Sequence, residues 1–310
     1  EITTRLVGSE MCIRDRYSVD LLAAINGSPT QGFGYTTLMT NNGKMVNRGV
    51  EITLSGEIIR QKDFSWNASL LYAFNRNKVK HISVQPSLWD SRISMPTSYP
   101  MVGKPLYGIY AYKWAGLNEN GDPQVYDAEN NVTSGPARDY HALVYCGTTV
   151  PIHNASLTNV LRYKGFEFSA MLILDAGHKL RSSNIPSINM SNGRITSTAK
   201  GIVDRWTQPG DVTDVPRLLF SNDTENFNTH RTELYRYSDL FVYDASNIRL
   251  SNISLAYRVP AHWCKKISLS GARLQFNVEN VATFAFDSKA NYDLGGKVKP
   301  NYVWGLYLNF

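Results

Sequence analysis

The sequence predicts an all-β fold made of the antiparallel strands of a transmembrane β-barrel, and three observations support this. Uncharged apolar residues recur at every second position, tight turns alternate with long polar stretches, and the chain ends on an aromatic strand. The composition agrees, because aromatic residues make up 12% of the 310 residues and charged residues only 19%, below the roughly 25% of soluble domains. Aromatic side chains pack well on pleated strands.

The alternating stripes are the strongest signal. From Phe64 to Phe74 the even positions are apolar, whereas Ser65, Asn67 and Ser69 occupy odd ones. None of the stripes carries a charge, as expected where a charge at the bilayer midplane costs about 2 to 4 kcal/mol. A soluble β-sandwich is the alternative, because its inner faces look alike. The other stripes are Val50 to Ile58, Phe166 to Leu174, Ile253 to Val259, Leu274 to Val278 and Tyr302 to Phe310.

The spacing of turns favours the barrel. Gln61 with Lys62, and Lys164 with Gly165, join strands tightly, whereas 75–106 and 178–245 are long and polar. A compact sandwich rarely tolerates loops of that length. A membrane barrel has short turns on the periplasmic side and long loops outside.

Counting the crossings gives roughly eight strands, with about ten as the alternative, of the tilted kind that spans an outer membrane. One side of the membrane then holds both tight turns, the connection from Pro260 to Lys266 and Phe310. This requires that residues 107–126 contribute either no membrane strand or an even number, and the sequence is consistent with both.

The start of the chain differs from the rest. Glu1 is preceded by neither Met nor a secretion signal, whereas every outer-membrane protein is secreted, so we interpret the chain as a fragment or a processed product. Leu6 to Arg16 fits neither strand alternation nor a capped helix. We therefore predict that residues 1–16 are foreign to the fold and that residues 17–310 form the barrel part; regular strand pairing throughout Leu6 to Arg16 in a measured structure would reject this.

The motifs of catalysis and of cofactor binding are missing from the sequence. The six histidines are scattered without an HExxH pair, and there is no GxSxG elbow, P-loop or dinucleotide-binding motif. We therefore expect neither an enzyme nor a cofactor. Asn118 to Asp122 is interpreted as a turn, with calcium as the alternative, because Pro123 stands where an EF-hand has Gly. Asp287 and Asp293 are interpreted as solvated loop residues.

Charge and cysteine usage exclude further classes. The net charge is +6, but Lys and Arg do not cluster apart from Arg76 to Lys80, which we interpret as a solvated loop edge, so no nucleic-acid partner is expected. The cysteines Cys12, Cys146 and Cys264 lie far apart without CxxC spacing, which argues against a zinc site or a disulfide framework.

Aromatic residues in the predicted loops allow two interpretations. Flat rings form platforms for sugar faces, but Tyr and Trp also concentrate at bilayer interfaces, and the second interpretation is favoured for any single residue. The candidate substrate-contacting aromatics are Trp89, Tyr99, Trp114 and Trp206.

The last strand carries the most specific motif. Its alternating residues resemble the signal by which the barrel-assembly machinery recognises outer-membrane proteins, and an outer-membrane lipid environment is therefore expected. These residues are Tyr302, Trp304, Leu306, Leu308 and Phe310.

An ordered series of motifs resembles the C-terminal half of the SusC/RagA family of TonB-dependent outer-membrane transporters. The resemblance covers about Tyr17 to Phe310, and the order of the motifs makes it specific. One departure is Asn291-Tyr-Asp-Leu294, where the family usually has Gly-Tyr-Asp-Pro. The matching segments are Asn42 to Ile52, Phe64 to Lys78, Gly103 to Gly108, Tyr112 to Leu117, Asn120 to Pro123, Arg205 to Gly210, Ser246 to Ile253 and Glu279 to Phe284.

This resemblance implies a barrel of about 22 strands with a plugged lumen, of which the chain is the C-terminal part. It also implies the outer membrane of a Gram-negative bacterium, energy from the TonB complex through a segment that this chain lacks, and a SusD-like lipoprotein that helps to capture oligosaccharides or peptides. The alternative function is glycan binding by a soluble or surface-attached β-sandwich.

Overall fold

The computed structural model describes residues 3–26, 37–82, 91–135, 139–190, 199–220, 229–266, 268–294 and 299–310, and of residues 3–26 and 37–42 it describes only the backbone. Within these ranges the chain is mostly antiparallel strand, which confirms the predicted all-β barrel-type fold. The strands are β1 (Thr3–Asn26), β2 (Thr37–Arg60), β3 (Phe64–Ile82), β4 (Gly108–Tyr112), β5 (Trp114–Leu117), β6 (Pro123–Tyr126), β7 (Val132–Thr133), β8 (Leu143–Thr148), β9 (His153–Tyr163), β10 (Phe166–Ala176), β11 (Lys179–Arg181), β12 (Asn189–Met190), β13 (Leu219–Phe220), β14 (Val242–Asp244), β15 (Asn247–Arg258), β16 (Gly271–Ala285) and β17 (Asn301–Asn309). The α-helices are α1 (Ser91–Ser94), α2 (Thr229–Arg236), α3 (Ala261–Lys265) and α4 (Asn291–Leu294).

One large sheet forms the body of the described structure. Its eight strands have the order β1-β2-β3-β9-β10-β15-β16-β17, and every neighbouring pair is antiparallel. The predicted tight turns lie where expected, because β2 and β3 meet around Gln61 and Lys62, and β9 and β10 meet at Lys164 and Gly165. Lys164 has a φ of 51°, the left-handed conformation that a two-residue hairpin needs.

The apolar stripes of neighbouring strands lie in register. Trp66 pairs with Leu161, and the row continues through Phe168, Leu255 and Phe276 to Trp304 on the last strand. A second row joins Leu54, Leu70, Leu157, Leu172 and Leu250. These rows face outward, since Leu172 is 36% exposed and Trp304 is 78% exposed. A second sheet packed over this face, as in a sandwich, is not seen among the described strands.

A bulge in β15 keeps the faces consistent. Between Leu250 and Asn252 the pairing register shifts against β10, so Ser251 is an extra residue relative to that strand. Against β16 the register also shifts, but there the extra residue belongs to β16, between Glu279 and Ala282. On the apolar face of β15, odd-numbered residues such as Ile253 stand after the bulge, and the even-numbered residues Leu250 and Ile248 stand before it. The bulge therefore keeps Arg249 on the polar face.

The residues after Phe74 form a strand, contrary to the prediction that 75–106 is a loop. β3 continues to Ile82, and its residues from Asn75 onward pair with β2 over Gly43 to Gly49. The interpretation of Arg76 to Lys80 as a loop edge is therefore wrong. A polar sequence can continue a strand wherever both faces meet water, because the backbone ladder does not depend on apolar side chains.

Residues 107–126 do not join the large sheet. They form β4, β5 and β6, which belong to two small sheets, β4-β8 and β5-β6-β7. The strand count is therefore eight, with no contribution from this segment. In the described ranges, no helix has the length and apolar character that a membrane crossing would need.

Residues 3–16 pair along their backbone. β1 pairs with β2 over its whole length, with register shifts that include one between Leu6 and Gly8. Because the register shifts between Leu6 and Gly8, the pairing is not regular throughout Leu6 to Arg16, and the foreign character of residues 1–16 stays a prediction.

Candidate functional site

The polar face of the large sheet carries paired charges. Glu167 accepts hydrogen bonds from Arg162 Nε at 2.8 Å and from Arg273 at 3.2 Å. Further along the sheet, the Arg249 guanidinium donates to Asp175 at 3.2 Å. Between its two ends the large sheet therefore has one apolar face and one face that carries hydrogen-bonded charged pairs, as in the wall of a water-filled channel.

The long connections fold into one packed assembly, which we call the loop unit: residues 91–135, 139–152, 178–190, 199–220 and 229–246. Its core holds the fully buried side chains of Tyr110, Tyr112, Val125 and Leu234. A second cluster contains Ile188, Tyr235 and Phe241, and the rings of Tyr235 and Phe241 meet edge to face at 4.9 Å. The predicted long loops thus have a hydrophobic core of their own.

Asp122 joins two loops that are far apart in the sequence. Its carboxylate accepts hydrogen bonds from Arg217 at 2.8 and 3.1 Å and from Arg231 Nε at 2.7 Å. Arg231 is only 3% exposed, and it also donates to the Asn189 side chain and to the Arg217 carbonyl oxygen. We call these four residues the Asp122 clamp, and the sequence analysis missed it.

The residues before Asp122 form the turn that was expected. Asn118 Oδ1 accepts from the backbone amides of Asn120 and Asp122, both at 2.9 Å. Gly121 has a φ of 74°, and a Cβ atom there would lie 2.4 Å from the Trp206 ring. Only glycine therefore allows Trp206 to pack on this turn.

The aromatic residues predicted to contact substrate have different positions. Trp114 lies in β5, its Nε1 donates to Asp214 at 3.0 Å, and its ring is 5.9 Å from that of Tyr235. Trp206 packs on the β5–β6 turn, and Tyr99 is half-buried in the turn after α1. Trp114 and Trp206 thus contact the same small hairpin, whereas Trp89 lies outside the described residues. Their role in substrate contact stays a prediction.

Arg181 ties β11 to the core of the loop unit. Its guanidinium donates to the carbonyl oxygens of Tyr110 at 2.7 Å, Arg236 at 3.1 Å and Ser238 at 3.2 Å. Burial lowers the pKa of Arg181 from its ordinary value. An arginine stays charged after such a shift, so it supplies a charge-assisted hydrogen-bond donor to each carbonyl.

The interpretation of Asp293 as a solvated loop residue is wrong. Its carboxylate accepts from the Ser182 hydroxyl at 2.8 Å and from the backbone amide and hydroxyl of Ser183 at 3.0 and 2.6 Å. Asp287 caps the next turn by accepting from the Lys289 amide. Asp293 therefore fastens the β16–β17 connection to the loop unit.

The Cys146 thiol lies in the loop unit and is a weak nucleophile. Burial, with a smaller contribution from Asp239, raises the pKa of this thiol to about 11. Burial also raises the pKa of Tyr235. A thiol with a raised pKa is protonated at neutral pH, which makes it a poor nucleophile.

The chain is similar to TonB-dependent receptors in sequence and to a RagAB importer in structure. TonB-dependent receptor P3 of Formosa agariphila is 24% identical over 294 residues, which cover 88% of this chain and 28% of that protein. TonB-dependent receptor SusC of Bacteroides thetaiotaomicron is 22% identical over 263 residues, 80% of this chain and 24% of that protein. The RagAB peptide importer in the open-open state matches with a TM-score of 0.71 at 20% identity, over 97% of this chain and 32% of that one.

This confirms the resemblance to the SusC/RagA family. A second solved structure, the RagAB peptide transporter, matches this SusC/RagA-like chain with a TM-score of 0.71 at 22% identity. No family model matches the chain. The chain spans about a third or less of the length of the receptors and transporters that it matches. These relatives are named as receptors and transporters, and none of the names is that of an enzyme.

His178 gives the loop unit of this SusC/RagA-like chain a sensitivity to pH. The side chain is 9% exposed and its Nδ1 has no hydrogen-bond partner among the described residues. Burial lowers the pKa of His178, and the carboxylates of Asp175 and Asp244 oppose that shift only in part. Although partial burial acts against it, hydrogen bonds from Ser246 and Lys179 lower the pKa of Asp244 to about 2, so Asp244 stays charged.

Acidification is therefore expected to loosen the β11–β14 pair next to His178. The unfolded segment takes up a proton near pH 6.5, whereas the folded one resists it, so stability is complete above that pH and is lost as the pH falls toward the folded pKa. In the complete protein, the protection factors of the β11 and β14 amides, which correct for the pH dependence of intrinsic exchange, should fall as the pH is lowered from about 7.5 to 5.5. His178→Gln should remove this dependence and His141→Gln, at an exposed site, should keep it; equal profiles for both variants would refute the assignment to His178.

Proposed function

We propose that the chain supplies wall strands and outer loops to a TonB-dependent transporter in the outer membrane of a Gram-negative bacterium. The transporter would import oligosaccharides or peptides. This proposal rests on the family resemblance, on the two-faced sheet, and on the packed loop unit at one end of it.

One observation carries the proposal. The apolar rows that run from Trp66 to Trp304 and from Leu54 to Leu250 are uncharged and in register. Their exposed members are Leu54, Leu70, Phe168, Leu172, Leu255 and Trp304. An exposed apolar surface of that extent is unfavourable in water, where monomers rarely show contiguous patches beyond a few hundred Å². Hydrocarbon is the solvent that suits it, whereas the hydrogen-bonded charges of the opposite face suit a water-filled lumen.

The edges of the sheet support a larger barrel. In the described part of the chain, β1 and β17 each pair on one side only. Open edges are not tolerated in hydrocarbon, so a barrel of about 22 strands requires partner strands from the rest of the transporter. The isolated 310-residue chain should therefore aggregate in detergent or lack heat-modifiable migration, whereas the complete protein should show it. A stable, water-soluble monomer of the isolated chain would contradict the proposal.

The loop unit supports a role in capture. We propose that it lies over the outer mouth of the channel, where a SusD-like surface lipoprotein delivers the substrate. Tyr99, Trp114 and Trp206 are the candidate contacts there, since aromatic rings bind both sugar faces and apolar peptide side chains. Energy would come from the TonB complex through parts of the transporter outside this chain.

Uptake in whole cells tests the function. Cells that lack the complete gene are complemented with it, and the import of labelled oligosaccharide and peptide mixtures is measured with and without a working TonB complex. Uptake that depends on both the gene and TonB is the expected result. Capture of a surface lipoprotein by an affinity-tagged transporter tests the partner. Wild-type uptake in cells without the gene, over every class of labelled substrate, would count against import by this protein.

The last strand should direct assembly. The Trp304 ring lies 4.3 Å from the Phe276 ring, while Phe310 is 92% exposed. Deleting Phe310 is therefore expected to lower the outer-membrane level of the complete protein with little effect on packing. Immunodetection in separated membranes measures this, with Tyr307→Ala on the opposite face as the control. Unchanged export of a folded, soluble product would support the sandwich alternative instead.

A further inference from the structure

The upper parts of β2 and β3, together with the connection before β4, carry a cluster of cations, which we call the basic patch: Arg48, Arg76, Lys78, Lys80 and Lys104. Arg76, Lys78 and Lys80 are exposed, and Lys104 Nζ lies 4.8 Å from the centre of the Tyr145 ring. Two adjoining cavities, of about 390 and 280 Å³, share Arg76 and Lys78 as lining residues. No described residue that lines either cavity is acidic.

The basic patch lies on the membrane side of the wall. Val50 pairs with Phe74 on the apolar face, and two residues further Arg48 pairs with Arg76 on the same face. Val46 then pairs with Lys78, and its side chain is only 5% exposed. Arg48, Arg76 and Lys78 therefore continue the apolar stripe directly, and Val46 lines the smaller cavity together with them. The long stems of such side chains cover apolar residues of this kind.

The height of the basic patch matches that of the lipid headgroups. Eleven residues from Phe64 to Phe74 rise about 33 Å along the strand, and a tilt of about 40° reduces this to the roughly 25 Å of an outer-membrane apolar band. Arg76 follows Phe74 by two residues and Lys78 by four, which places them about 5 and 10 Å above the edge of the band. The headgroup zone beyond the hydrocarbon is about 5 to 7 Å deep on each side, and flexible Lys and Arg side chains reach back toward it.

We propose that the basic patch binds the phosphate groups of phosphorylated lipid headgroups in the outer leaflet. This inference rests on the proposed outer-membrane function. Phosphate suits the site because Arg76 offers a planar, bidentate donor, whereas the lysines add point charges without a fixed direction. The cavity at the β3 edge admits the headgroup, because β3 pairs with β9 only up to Phe74. Bound lipid would cover this edge between the Ile152 and Lys104 carbonyl oxygens, which accept from the amides of Asn75 and Val79.

Binding of defined lipids to the complete transporter tests the proposal. The protein is placed in phosphatidylcholine nanodiscs, and retention of diphosphorylated lipid A is compared with that of its dephosphorylated form by native mass spectrometry. The triple variant Arg76→Gln, Lys78→Gln, Lys80→Gln should bind the phosphorylated form about 100-fold more weakly, since each cation near an anionic surface contributes about fivefold. Its matched control is Lys62→Gln, Lys265→Gln, Lys266→Gln, which removes three exposed cations at the opposite end of the strands and should bind as the wild type does.

Further experiments distinguish lipid phosphate from other anions, and a failure of this inference from a failure of the proposed function. Arg76→Lys, Lys78→Arg, Lys80→Arg keeps the charges and should keep most of the binding. Displacement of the lipid by millimolar inorganic phosphate, or tighter binding of a sulfated oligosaccharide at these residues, would overturn the lipid assignment. Equal retention by the wild type and the triple variant, in a heat-modifiable barrel that imports its substrate, would overturn this inference alone. A wild type that forms no barrel would overturn the proposed function as well.

Discussion

Asp122→Ala is expected to loosen the contact of the β5–β6 hairpin with the segments that carry Arg217 and Arg231. The substitution leaves the Arg231 guanidinium, 3% exposed, and that of Arg217 without their shared carboxylate. Removal of one partner from a buried ion pair costs about 3 to 5 kcal/mol, because the remaining charge is left without compensation. In the complete protein, hydrogen exchange of β12, β13 and α2 should accelerate by at least about 100-fold, and protease should cut within 199–220.

Asp127 provides the matched control for the Asp122 clamp. Its carboxylate accepts only from its own turn, from the amides of Glu129 and Asn131, and is exposed. Asp127→Ala should leave exchange in β12, β13 and α2 unchanged. If Asp122→Ala exchanges no faster than Asp127→Ala, the Asp122 clamp does not hold the loop unit together.

Leu172→Arg is expected to destabilise the membrane-inserted wall. Leu172 lies near the middle of β10, in the row between Leu157 and Leu250, and faces outward. An arginine at the bilayer midplane of a barrel costs about 2 to 4 kcal/mol. The free energy of unfolding of the complete barrel in lipid vesicles, measured by denaturant titration, should fall by that amount.

The neighbouring residue separates the two faces. Met171 pairs with Thr158 and Asn252 on the polar face, so Met171→Arg places the same cation in the aqueous lumen. We expect its unfolding free energy to stay within about 1 kcal/mol of the wild type. Equal losses for the two variants would mean that the apolar face does not meet hydrocarbon.

The sequence was sufficient for what depends on local pattern. The stripe from Phe64 to Phe74 and the two-residue turn at Lys164 follow from side-chain period and backbone preference, and both are confirmed. The upper part of β3 was missed because Asn75 to Ile82 has no apolar period, although its backbone pairs with β2. The pattern of side chains indicates which face of a strand is apolar, but it does not indicate where the backbone hydrogen bonding of that strand ends.

The loop unit was beyond this kind of prediction for a different reason. Asp122 and Arg217 are 95 positions apart, and Asp122 and Arg231 are 109 apart, so no spacing rule connects them. Asp293 was assigned to solvent for the same reason, since its partners Ser182 and Ser183 lie more than a hundred positions earlier. A long loop that is rich in Tyr and Trp was nevertheless a usable signal, since such rings seldom stay in water.

The extra residue Ser251 restores the match between the side-chain alternation of β15 and that of β10. Without it, the upper and lower halves of the strand would alternate out of step, and the Arg249 guanidinium would point at acyl chains while Ile248 entered the lumen. A deletion of this single serine would thus exchange inside for outside over half a strand. Any grafting of this hairpin into another barrel has to carry the bulge with it.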